Sequence, residues 1–167
     1  MPTDPTLAFD ALEIAERLGA SMALGAVIGL DREWRDRPAG LRTHILVALA
    51  SALFTILSFE LFETAQQASS HARADPIRVV EAVLTGVAFL GAGTIIRASR
   101  RLEGVTTGAS IWLVGAVGIA CGGGFYELAL IGTAMAVLVL TGLGMVERRV
   151  GPKRRRREQK ERDAEGG

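Results

Sequence analysis

Five apolar runs separated by charge constrain this chain more than any other feature. They occupy residues 12–30, 43–62, 79–96, 105–121 and 128–146. Each is roughly 17–20 residues long, the length an α-helix needs to cross a hydrocarbon core of about 30 Å. Strands of a membrane barrel would alternate apolar and polar residues, and these runs do not, so helices are the form expected. The last two runs contain no charged residue; the first carries Glu13, Glu16 and Arg17 in its early turns, and the third carries Glu81. With 49% hydrophobic residues and a mean hydropathy of +0.30, the apolar content is high and segregated from the charge, as in a polytopic membrane protein.

The connections set the topology. Five spans put residues 31–42, 97–104 and the tail after 147 on one side of the membrane. That side holds sixteen of the nineteen basic residues, leaving only Arg17, Arg73 and Arg78 opposite. By the positive-inside rule the basic side is cytoplasmic. The fold class expected is therefore all-α, a bundle of five transmembrane helices with the N-terminus outside and the C-terminus cytoplasmic. The domain reading is a short N-terminal segment, 1–11, a membrane domain, 12–147, and a basic tail, 148–167, too poor in apolar residues to fold. That tail suits anchoring to anionic lipid. The first sixteen residues hold four acidic residues and no Lys or Arg, the wrong sign for a secretory signal. Cys121 is the single cysteine, so no intramolecular disulfide forms.

Residues 29–44 pack seven charges and a Pro38-Ala39-Gly40 turn between the first two spans. Asp31, Glu33 and Asp36 could offer oxygens to magnesium, a hard cation. Arg32, Arg35, Arg37 and Arg42 surround them, so a paired-charge clamp joining the two helices is the better reading. Asp31 and Glu33 also face different ways on one helix. Small residues four apart, Gly25 with Gly29, Gly118 with Gly122 and Gly132 with Ala136, suit close helix crossings in lipid. Gly86, Gly91 and Gly93 weaken the third span; they serve close packing, a cavity-lining break or dimerisation. Gly122, Gly123 and Gly124 mark a tight outer turn.

Three blocks resemble the MgtC/SapB membrane proteins. They are GAVIGLDREWR at 25–35 with PAGLRTH at 38–44, GVAFLGAG at 86–93 followed by Ile96 and Arg97, and GVTTGASIW at 104–112. Asp31 stands where the family usually has Glu, Ala88 where it has Gly, and Gly108 where it has Ala. The larger members continue into a folded cytosolic domain, and this chain looks like the short SapB-type form. The resemblance implies an inner-membrane protein tied to magnesium limitation, acid stress or virulence, acting on other membrane complexes. Magnesium transport is a family label.

Two further readings come from the residues. The second and fourth spans begin at the cytoplasmic face, where free N–H groups and the helix dipole favour anions. Arg42 and Thr43 sit at one such end; Thr106 and Thr107, preceded by Arg97, Arg100 and Arg101, sit at the other. They form an anion site, or Thr106 or Thr107 simply caps the helix. Glu81 lies one turn from Arg78, so it forms an ion pair at i, i+3 or belongs to a proton or cation relay. Trp34 reads as an interfacial anchor and Trp112 as a packing residue. No catalytic constellation, cofactor motif or nucleic-acid patch is present in these residues, so no enzyme is expected. The function expected is regulatory or accessory, with an ion transporter or channel for Mg²⁺ or protons as the alternative. The partners expected are lipid, a membrane protein and further copies of the chain.

Overall fold

The computed structural model describes residues 8–68, 75–98 and 101–142. Its first helix, α1, runs over Ala11–Trp34, with the Asp10 carboxylate accepting from the Glu13 amide at 2.8 Å. It ends in a Schellman motif: the Arg37 amide donates to the Arg32 carbonyl and the Asp36 amide to that of Glu33, both at 3.1 Å. Asp36 supplies the left-handed residue, φ +50°, a position that usually belongs to glycine.

Helix α2 spans Leu41–Ala68. The sequence reading ended this span at 62 and placed a polar loop over 63–76. The helix instead continues for another turn and a half through Glu63, Ala65, Gln66 and Gln67, which are adequate helix formers once they leave the apolar layer. Helix α3, Pro76–Gly93, opens with proline in its first turn and the Asp75 carboxylate accepting from the Ile77 amide at 3.0 Å. The third span was expected to reach Ile96. It stops at Gly93, where the Thr94 hydroxyl turns back onto the Gly91 carbonyl at 2.7 Å. The β-branched Thr94, Ile95 and Ile96 favour extended backbone, and a two-stranded antiparallel hairpin follows: β1, Ile96–Ala98, pairs with β2, Arg101–Glu103. This hairpin amends an otherwise all-α expectation.

Helix α4 covers Val105–Gly122, and α5 covers Tyr126–Gly142. The glycine turn between them is a second Schellman motif. Gly124 sits at φ +79°, and the Phe125 amide donates to the Ala120 carbonyl at 2.8 Å.

Two contacts orient the bundle. Arg32, near the end of α1, reaches Thr107 at the start of α4, while Arg17, near the start of α1, reaches Gly122 at the end of α4. Helices α1 and α4 are therefore antiparallel, and the 29–44 turn and the β-hairpin share one end of the molecule. Arg17 is bound on three sides at the other end. It pairs with Glu13 at 2.6 Å, lies 4.1 Å from the Phe9 ring centroid and donates to the Gly122 carbonyl, where a cation suits the helix C-terminus.

Small residues line the interior, and large ones cover the outside. Buried positions include Ala48, Ala52, Ser51, Thr55, Ala120 and Ala136, with Ile28, Ile111 and Val114 as the bulkier fillers. Leu46, Phe54, Phe89, Leu130 and Leu138 are exposed. A water-soluble domain would bury the second set; a protein solvated by lipid tails gains nothing by doing so and packs through its small side chains. Trp112, expected to pack, lies on this apolar exterior and is 47% exposed. Among the described residues two helices, α2 and α4, are long and apolar enough to cross a membrane.

Candidate functional site

The end of the bundle that holds the charged turn is also where buried polar groups gather. Asp31 accepts from Arg35 Nε at 2.9 Å across one turn of α1, while its second oxygen is buried without a donor. Glu33 faces the other way, and its carboxylate accepts from the Leu41 amide at 2.9 Å. The link between the first two helices is thus a carboxylate on a helix N-terminus. Among the described residues the ion pairs are Glu13–Arg17, within α1, and Asp31–Arg35, between its last turn and its C-cap, so neither joins two helices. Gly40 makes the link possible, because a Cβ there would run into the Glu33 carboxylate.

Helix α4 begins differently. Its N-cap is Gly104 at φ +86°, with no side-chain cap, so neither Thr106 nor Thr107 caps the helix. A side chain at Gly104 would strike the Thr94 carbonyl. Thr107 is buried and turns its hydroxyl oxygen toward Arg32, whose Nη2 donates to it at 2.5 Å. Arg32 is only 3% exposed, its Nε has no partner, and no carboxylate oxygen lies within 4.0 Å of it among the described residues. Burial, and then the nearby Arg37, draw its pKa below the ordinary arginine value, while Asp31 pulls the other way. It remains charged at any physiological pH.

A cavity of about 550 Å³ opens beside this arginine, lined by Arg32, Asp36, Arg37, Glu103, Thr106 and Thr107, with the α4 N-terminus at its edge. Asp36, Arg37, Glu103 and Thr106 are solvent-exposed. The cavity thus has a buried cation on its floor and mixed charge at its rim.

Behind Arg32 a polar chain enters the core. Ser110 donates to the Thr107 carbonyl at 2.8 Å and lies 3.1 Å from His44 Nε2, while His44 Nδ1 lies 2.9 Å from the Gly40 carbonyl. His44 is fully buried. Sequence reading placed Arg37 in the paired-charge clamp and gave His44 and Ser110 no role beyond the motif blocks; the signal available was a lone histidine one turn past a glycine at the start of an apolar helix. Crossings on glycine hold two helix pairs here, α1 with α2 and α3 with α4. Gly29 sits against Leu41 and His44, and Gly91 and Gly108 each face the other's carbonyl, with Cβ positions 3.0 and 2.9 Å from it.

The remaining candidates fall elsewhere. Arg42 and Thr43 are exposed on the first turn of α2 and do not line the cavity. Arg97 lies in β1, its side chain outside the described residues. Glu81 is exposed on α3 with no ion pair to Arg78. Gly93 has nothing near it, and Gly86 lines an open apolar groove of about 470 Å³ between α2 and α3. Helix α3 runs unbroken through Gly86, so the glycines make no kink there. No group of three or more His, Cys, Asp or Glu able to hold a metal ion occurs among the described residues.

Comparison with known proteins agrees with the motif reading. The family model described as the MgtC family matches residues 18–149. YhiD of Escherichia coli (strain K12), whose name provisionally ascribes magnesium transport to it, is 44% identical over 121 residues, 72% of this chain and 55% of its own. Protein SrpB of Synechococcus elongatus is 42% identical over 148 residues, 83% of this chain and 79% of its own. Protein SapB of Bacillus subtilis is 37% identical over 145 residues, 85% of this chain and 61% of its own. The chain thus spans little more than half the length of YhiD. No solved structure matches it. Three motif blocks in order, an apolar helical exterior and a family match over most of the chain lead to one conclusion: this is a membrane protein of the MgtC/SapB family.

Proposed function

We propose that the protein crosses the bacterial inner membrane five times, with its N-terminus outside, and plays a regulatory or accessory part in magnesium-linked physiology through contacts with other membrane components. The observation that carries this reading is the closure of the α1–α2–α4 seam. Gly25 and Gly118 bring backbone against Ala48 and His44, and Gly122 abuts Ala52, so the interior between these helices is filled. Arg17 and Arg32 stand at the two ends of the same seam, where guanidinium groups oppose a dication. The acidic Glu81, the residue best suited to a relay, faces outward from α3. Assembly into a homo-oligomer belongs to the same reading, since Gly86 and Gly93 leave α3 with a face free of close contacts.

Transport of Mg²⁺ or protons is the second reading, and the name carried by YhiD favours it. Flux into sealed vesicles separates the two. Vesicles holding the protein should admit Mg²⁺ and protons no faster than empty ones; entry that falls in Glu81→Gln at equal protein content would establish transport instead.

A further inference from the structure

Among the described residues no carboxylate oxygen lies within 4.0 Å of the buried Arg32, and the cavity beside it is the open approach to its charge. A guanidinium removed from water without an anion is costly. The amide groups of Val105, Thr106 and Thr107 have no acceptor among the described residues, and the α4 dipole adds about half a positive charge at the same place. By contrast the other helix N-terminus at this end, that of α2, is already occupied by the Glu33 carboxylate. We propose that the cavity between Arg32, Arg37 and the first turn of α4 binds a phosphate group, which balances the charge of Arg32 and takes the place that Glu33 takes on α2.

Charge and size both bear on the occupant. Asp36 and Glu103 line the cavity too, so its side chains sum to zero. Both are exposed, where water weakens their field, whereas Arg32 is buried, where its field is strong. The floor therefore selects an anion. At about 550 Å³ the cavity is larger than a bare phosphate and suits a phosphate ester. Trp34, 81% exposed two residues from Arg32, marks this depth as the membrane interface on the five-span topology, within reach of a lipid headgroup as well as a soluble ester. The site stands whether the protein regulates or transports.

The test uses the full chain, stripped of lipid in an uncharged detergent, with its melting temperature followed against inorganic phosphate at constant ionic strength. Saturable stabilisation by phosphate and not by chloride is expected. Arg37→Gln, an exposed position that leaves the packing intact, should weaken it about tenfold. Asp36→Asn, which keeps a side chain tolerated at positive φ and removes the opposing charge, should tighten it. That outcome assigns a soluble phosphate source. The lipid source is assigned if inorganic phosphate does nothing but phosphatidylglycerol vesicles, compared with phosphatidylcholine, bind wild type more tightly than Arg37→Gln. The basic tail is the same in both proteins, so this difference isolates the cavity. Equal behaviour of wild type, Arg37→Gln and Asp36→Asn in both assays overturns the site.

Discussion

Asp36 is held at φ +50°, where a side chain costs roughly 1 kcal/mol and glycine costs little. Asp36→Ala should therefore melt lower than wild type and Asp36→Gly at or above it; an alanine variant as stable as wild type would remove the strain from the account. Glu33 and Gly40 form one device, because the carboxylate reaches the Leu41 amide only where position 40 has no Cβ. Glu33→Ala should cost about 1 kcal/mol, the usual value of a lost N-cap. Gly40→Ala should cost at least as much, and the double variant should lose less than the two added together. Thermal melts of the three proteins decide it, and strict additivity would mean that the two residues act separately. Of the charged turn, sequence reading rightly set its carboxylates apart on the helix. Which arginine would be buried was not legible: Arg32, Arg35, Arg37 and Arg42 all belong to the charged connection between two apolar runs, and only the place where α4 docks on α1 singles out Arg32.

The helices were read more fully than their ends. Apolar runs set where α1, α2 and α4 form, yet α2 outran its apolar stretch and α3 fell short of its own. Hydropathy measures transfer into lipid, whereas helix ends depend on local backbone preference, and at Thr94 to Ile96 that preference turned to strand. Glycine spacing was informative but not selective. Gly118 lies against the Ala48 carbonyl and Ser51, while Gly132 has open space around it. Gly118→Leu should force α2 and α4 apart and destabilise by about 1–3 kcal/mol or more. Gly132→Ala should be neutral or stabilising by up to about 1 kcal/mol, from helix propensity alone. Melting both variants in one detergent checks the contrast, and a damaging Gly132→Ala would point to a contact that α5 makes outside the described chain.

For the molecule as a whole, the five-span topology makes a prediction that labelling can read. Cys121 is fully buried and should stay silent toward an impermeant thiol reagent. A cysteine placed at His71 should label in intact cells, and one placed at Arg154 only after permeabilisation. Labelling of both from the same side would remove the odd number of spans, and with it the placing of sixteen basic residues in the cytoplasm. The inside-out distribution of size, with alanine and glycine within and leucine and phenylalanine without, belongs to this same level: it is a property of the assembled bundle in lipid and of no helix alone.

Composition and the order of apolar runs by themselves determined that this chain is helical and that it belongs in a membrane, because transfer into lipid acts on each segment independently of its neighbours. Three motif blocks determined the family. The candidate site was decided only by tertiary structure. Arg32 and Thr107 lie 75 residues apart and meet because α1 and α4 both pack closely on α2, Gly25 and Gly118 each against Ala48. A buried charge, an uncapped helix and the cavity between them arise from how helices dock, and docking depends on contacts that no single segment encodes.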